Sequence, residues 1–109
     1  MNKPKGYVCA RVDNLNKTVM EIVPDEFLTK DLTIVGRLDI DTEGLLLITN
    51  DGMLCHNLLS PKSHVDKKYY VEFDGKFKED YINDFKEGIV IDDGYKCLPA
   101  LLEKISDNR

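Results

Sequence analysis

The run Gly44-Leu45-Leu46-Leu47-Ile48-Thr49 constrains this chain more than any other stretch. It is too short to be a stable helix, and Asn50-Asp51-Gly52 closes it with turn chemistry, so it predicts a strand. Because polar residues do not interrupt it, the strand is expected to be covered on both faces. Asp51 then stands where it can cap a short helix from Met53 to Ser60, with Leu54 and Leu58 on one face and Pro61 as the stop. Further strands are predicted at Gly6-Tyr7-Val8-Cys9-Ala10, Leu32-Thr33-Ile34-Val35 and Lys68-Tyr69-Tyr70-Val71-Glu72-Phe73, the last followed by an Asp74-Gly75 turn. Tyr81, Ile82 and Phe85 mark the buried face of a helix from about Lys78 to Glu87, stopped by Gly88. Ile89-Val90-Ile91, Asp92-Asp93-Gly94 and Tyr95-Lys96-Cys97-Leu98 read as a hairpin. Ala100 to Ile105 is too short to assign. Strands with a few short helices, rather than a regular βαβ alternation, predict an α+β fold on a largely antiparallel mixed sheet.

A chain of 109 residues, 42% hydrophobic and 32% charged, suits one globular domain. No apolar run approaches the roughly 20 residues of a membrane helix, and the opening Met1-Asn2-Lys3-Pro4-Lys5-Gly6 has no apolar core of a secretory signal. A cytoplasmic protein is the expectation. Cys9, Cys55 and Cys97 are odd in number and far apart, which predicts buried free thiols rather than disulfides or a zinc site. The net charge of −5 is unhelpful to a nucleic-acid partner. It is unevenly spread, however: residues 1–68 carry nine Lys/Arg against ten Asp/Glu, and residues 69–109 carry six against ten. A locally basic surface around Lys62, His64, Lys67 and Lys68 is compatible with that distribution.

The densest polar cluster beside apolar strands is Gly36-Arg37-Leu38-Asp39-Ile40-Asp41-Thr42-Glu43-Gly44. Asp39, Asp41, Glu43 and Gly44 fall on the first positions of a calcium-binding loop, but position 12 is Asn50, which cannot supply the bidentate carboxylate. The flanks also read as strands where helices are needed. Arg37 and Asp39, two apart in an extended segment, would project from one side and could pair. A carboxylate held there can serve as nucleophile or base. A solvated surface Arg–Asp pair is the plainer reading of the spacing, and the residues alone leave both open.

The segment Gly36-Arg37-Leu38-Asp39-x-x-Thr42-x-Gly44-Leu45-Leu46, continued through Leu47-Ile48-Thr49-Asn50-Asp51-Gly52, resembles the signature of RsuA-type RNA pseudouridine synthases. Asn2-Lys3-Pro4-Lys5-Gly6-Tyr7-Val8 is similar to that family's first motif. Ser60-Pro61 through His64 to Lys67-Lys68-Tyr69 resembles the stretch ending in its active-site tyrosine. The three motifs stand in the family's order and cover most of residues 2–73.

The resemblance implies that Asp39 is the catalytic aspartate that initiates cleavage of the uracil–ribose bond, after which the base rotates and rejoins through carbon 5. It implies that Tyr69 stacks on the target base, and that Arg37 pairs with the aspartate or fills the gap left by the flipped nucleotide. Lys3, Lys62, Lys67 and Lys68 become candidate phosphate contacts. The implied reaction is conversion of a uridine to pseudouridine in ribosomal RNA, small-subunit by the pattern around Ser60-Pro61 and His64, with neither metal nor organic cofactor. Large-subunit ribosomal RNA is the alternative substrate within the family. A noncatalytic RNA-binding module that keeps the fold is the alternative outside catalysis. Family members carry an RNA-binding domain before the first motif and a further catalytic segment after the point matching Arg109. On this expectation residues 1–109 form the N-terminal part of the catalytic domain, with both flanking parts absent. An exposed edge strand would then invite dimerisation and leave the piece weakly active.

Overall fold

The computed structural model describes all residues, 1–109. The chain divides into two compact units, Met1–Asp66 and Lys67–Arg109.

In the first unit the pairing is split among three short ladders. Strand β1 (Asn2–Lys3) runs antiparallel to β5 (Gly44–Leu45), β2 (Tyr7–Val8) runs parallel to β3 (Lys17–Thr18), and β4 (Thr33–Val35) runs antiparallel to β6 (Leu47–Thr49). Two pairs of three are antiparallel, which agrees with the α+β expectation. Leu46 separates β5 from β6, and its backbone exchanges both hydrogen bonds with Met1, at 2.7 and 2.9 Å.

The apolar run is a strand-forming segment, but the expectation of cover on both faces is overturned. Leu46 is 2% exposed, whereas Leu45 is 77% exposed and Leu47 is also open to solvent. The pleat sends alternate side chains to opposite faces, and in this structure only the Leu46 face meets a core. That core is small: Val19, Leu46 and Cys55 are its buried apolar residues, with Lys3 and Thr18 buried beside them.

Helix α1 spans Gly52–Leu59, and the Asp51 side chain accepts a hydrogen bond from Leu54 N at 3.0 Å, as the sequence predicts for a capping aspartate. Its inward face differs from the expected one. Cys55 is buried and Leu58 half-buried, while Leu54 stays exposed. Pro61 begins a short 3-10 turn, Pro61–Ser63, that ends on His64 in the left-handed conformation (φ 49°).

In the second unit, α2 covers Asp80–Glu87, with Tyr81, Ile82 and Phe85 on its half-buried face. Gly88 ends it at φ 96°, its N–H reaching Asp84 O and Phe85 O. A β-carbon there would lie 2.4 Å from Cys97 O, so both the conformation and the close approach require glycine. The predicted hairpin is present in reduced form. Val90 bridges Lys96, Cys97 N donates to Ile89 O, and Gly94 N closes the turn on Ile91 O.

The predicted strand Lys68–Phe73 does not form. No amide from residue 65 to residue 72 donates a backbone hydrogen bond, and Phe73 N reaches only Asn108 O. A β-prone run without a neighbouring ladder stays extended but is not a strand. No helix of the chain is long and apolar enough to cross a membrane.

Candidate active site

The loop between β4 and β5, residues 36–43, combines an anchored backbone with free side chains. Gly36 turns the chain out of β4 at φ 81°. Leu38 N donates to Cys9 Sγ at 3.3 Å, Gly6 N donates to Ile40 O at 2.7 Å, and Thr42 N closes a turn on Asp39 O at 3.0 Å. From below, the Lys3 ammonium donates to Thr42 O at 2.7 Å, Asp39 O at 3.0 Å and Pro4 O at 3.1 Å, with Ile40 O at 3.4 Å. The side chains of Arg37, Asp39, Ile40, Asp41 and Glu43 all face solvent. The Asp39 carboxylate makes no intramolecular hydrogen bond, so it is open to an incoming ligand.

The flanks of the loop are strands, and no group of three or more metal-ligating side chains converges in the chain. The helix–loop–helix frame of a calcium site is therefore not built here.

Two expectations for individual residues need correcting. Arg37 and Asp39 form no ion pair, since every salt bridge in the structure joins residues of 67–109. Both are exposed, and two solvated charges gain little from pairing. Lys3 is not an external phosphate contact. It is 0% exposed, and its ammonium is occupied by loop carbonyls. Nothing in the local sequence flags this burial, because Asn2-Lys3-Pro4 has no apolar periodicity. Cys9 as an acceptor for the loop was equally hidden.

The remaining candidates lie where a ligand could reach them. Lys62 is exposed on the Pro61–Ser63 turn of the first unit. In the second unit Lys67, Lys68 and Tyr69 are exposed on the extended segment, Tyr69 by 60%. Tyr70, next to Tyr69, is committed elsewhere: its hydroxyl donates to Glu72 Oε1 at 3.1 Å, and Glu72 also holds Arg109 at 3.0 Å. Desolvation, and then the Glu72 bond, hold the Tyr70 hydroxyl above the usual phenol range. A groove of about 430 Å³ in the second unit, lined by Tyr81, Asp84, Phe85 and Val90 among others, contains none of the candidate residues.

Comparison with known proteins bears on the family and the fold of the chain. The family described as RNA pseudouridylate synthase matches residues 1–107. An uncharacterized RNA pseudouridine synthase of Bacillus subtilis, YtzG, is 45% identical over 103 residues, covering 94% of this chain and 43% of that protein. The ribosomal small subunit pseudouridine synthase A of Vibrio cholerae is 43% identical over 108 residues, covering 98% and 46%. Its Escherichia coli counterpart is 38% identical over 107 residues, covering 97% and 46%. A crystal structure of a pseudouridylate synthase superposes with a TM-score of 0.83 at 34% identity, over 99% of this chain and 46% of that one. The chain thus spans a little under half the length of the curated relatives it matches. Fold, motif order and sequence identity agree: the chain belongs to the RNA pseudouridine synthase family and resembles its RsuA-type members.

Proposed function

We propose that this chain carries the catalytic aspartate of an enzyme that converts a specific uridine of ribosomal RNA to pseudouridine. One observation carries the reading: Asp39 presents an unpaired, exposed carboxylate from a loop whose backbone is anchored on several sides. A reacting group works best when its frame is fixed and its own atoms are free for the substrate.

On this reading the uridine leaves the stack so that its sugar–base bond becomes accessible. The Asp39 carboxylate, as nucleophile or base, starts the cleavage of the bond between C1′ and N1. The uracil turns and forms a bond from C5 to C1′, and the proton on C5 is lost while N1 gains one. Product and substrate have the same composition, so the step is an isomerisation that calls on neither redox chemistry nor a group donor. Tyr69 supplies an aromatic face for the base, and Arg37 the charge that fills the gap left by the flipped nucleotide. Lys62, Lys67 and Lys68 meet phosphates. Small-subunit ribosomal RNA is the favoured substrate, supported by the names of the Vibrio and Escherichia relatives, and the cytoplasm is the corresponding location. Residues 1–109 then make up the N-terminal part of a catalytic domain.

The test is tritium release from ribosomal RNA labelled at carbon 5 of uridine, run separately on small- and large-subunit RNA with the chain completed to the length of its relatives. Release confined to the small subunit, and absent in Asp39→Asn, is the expected result. Release from large-subunit RNA alone would move the substrate. RNA binding with no release from either would replace catalysis by a binding role. The open Leu45 and Leu47 face also favours self-association, which sedimentation velocity reads directly. A species that stays monomeric across the concentration range would end that part of the proposal.

A further inference from the structure

The small hairpin of the second unit leaves one edge unpaired beside a groove. Ile89 O accepts from Cys97 N at 2.6 Å, and Ile91 N donates to Tyr95 O at 3.0 Å. Between these two bonds Val90 stands opposite Lys96 in an antiparallel bridge. A residue so placed turns its own N–H and C=O away from the partner strand, to the outer edge. Neither group of Val90 has a main-chain partner, and the residue is 60% exposed. The groove of about 430 Å³ runs along this edge. Ile89 and Val90 line one side of it and α2 lines the other, and no residue of 95–100 is among its walls.

The walls divide by chemistry. Tyr81, Phe85 and Ile89 are half-buried and form an apolar floor, whereas Asp84 and Glu87 are exposed at the rim. Neither carboxylate takes part in an ion pair. Both stand in the last turn of α2, where the helix dipole disfavours negative charge, so the helix gains nothing from them. Lys86, the one cation of that turn, does not line the groove. Residues 69–109 as a whole carry six Lys/Arg against ten Asp/Glu. Phosphate is repelled from such a rim, and a cation is drawn to it. An unpaired strand edge, an apolar floor and an acidic rim together fit an extended polypeptide. Its main chain would bond to Val90, alternate apolar side chains would enter the floor, and the basic ones between them would meet the rim.

We propose that this groove docks an extended, basic segment of another protein, added as a strand along Val90. The probe is a short, capped peptide of alternating lysine and valine, titrated into the 109-residue chain while its amide signals are followed by NMR. The amides of Glu87, Ile89 and Val90 are expected to shift, with that of Cys55 in α1 unmoved. Methylating the amide nitrogens of the valines blocks one edge of the added strand, and methylating those of the lysines blocks the other. One of these two peptides should bind about 2- to 12-fold more weakly than the other, as the loss of one main-chain hydrogen bond predicts. Asp84→Asn combined with Glu87→Gln should weaken binding of the unmodified peptide about 2- to 30-fold and flatten its salt dependence.

Equal binding by the two methylated peptides would overturn strand addition. Unchanged affinity in the doubly neutralised chain would overturn it as well, since the rim would then select nothing. A single-stranded oligouridylate that moves the Ile89 and Val90 amides more than the peptide does would assign the groove to RNA. Movement of the same amides on concentrating the chain alone would assign it to a second copy. Either result, or no shift with the peptide at all, ends the proposal.

Discussion

The segments that carry Asp39 and Tyr69 are held in opposite ways. Around Asp39, residues 38–42 are tied to Cys9, Gly6 and Lys3 through main-chain atoms, and every tie lies within Met1–Asp66. Around Tyr69, the chain from 65 to 72 donates no backbone hydrogen bond at all. Both segments expose their candidate side chain, but only one fixes its frame. The difference teaches that exposure alone does not define a poised group. What distinguishes Asp39 is that its neighbours' polar backbone atoms are satisfied, so its position is set before any ligand arrives.

The largest effect should come from the anchored side. Asp39→Asn is expected to lower kcat by at least about a thousandfold while leaving the melting temperature unchanged, since the carboxylate has no partner in the fold. A fall in stability with activity retained would break the comparison at its first term. Tyr69→Ala should act less strongly. Loss of one stacked base predicts a drop in kcat/KM of about 5- to 150-fold, read by the same tritium assay. A loss as severe as that of Asp39→Asn would mean that the extended segment is as well set as the loop.

The next effect concerns stability. Asp51→Ala removes the α1 cap and should cost about 1 kcal/mol in thermal or urea unfolding of the first unit. The smallest effect is electrostatic. The amides of Asn16 and Leu15 both donate to the Asp13 carboxylate, which holds its pKa below the ordinary aspartate value. A depressed folded-state pKa stabilises above the unfolded value and is lost as pH falls through the folded one. The Leu15 and Asn16 amide signals should therefore move only in strongly acid solution, below the usual aspartate range. Movement nearer neutrality would show that the turn is held by something else.

Features written in local chemistry were legible in the sequence. Asp51 caps the helix it precedes, Pro61 stops it, Gly88 ends α2, and Asp92-Asp93-Gly94 makes its turn, because each depends on a few neighbouring residues. The carboxylate loop was legible as a cluster, and the role proposed for it rests on the resemblance. What could not be read depends on partners distant in the chain. Whether Leu45 and Leu47 are covered, whether Lys68–Phe73 finds a ladder, and whether Lys3 faces water or carbonyls are all decided by tertiary neighbours. Lys3 is the sharpest case. A lysine beside a proline near the chain start reads as a surface charge, and only the pairing of β1 with β5 brings it under residues 39–42.

The way the loop is built also bears on how such a protein can diversify. Its shape is written in main-chain bonds, one buried cation and one thiol, none of which uses the side chains of Arg37, Ile40, Asp41 or Glu43. Of these, Ile40, Asp41 and Glu43 have no part in the proposed reaction and can change identity without disturbing the scaffold beneath them. Selection for a new target, in nature or in a randomised library, can therefore act on the rim of the loop while the scaffold that presents Asp39 is inherited intact.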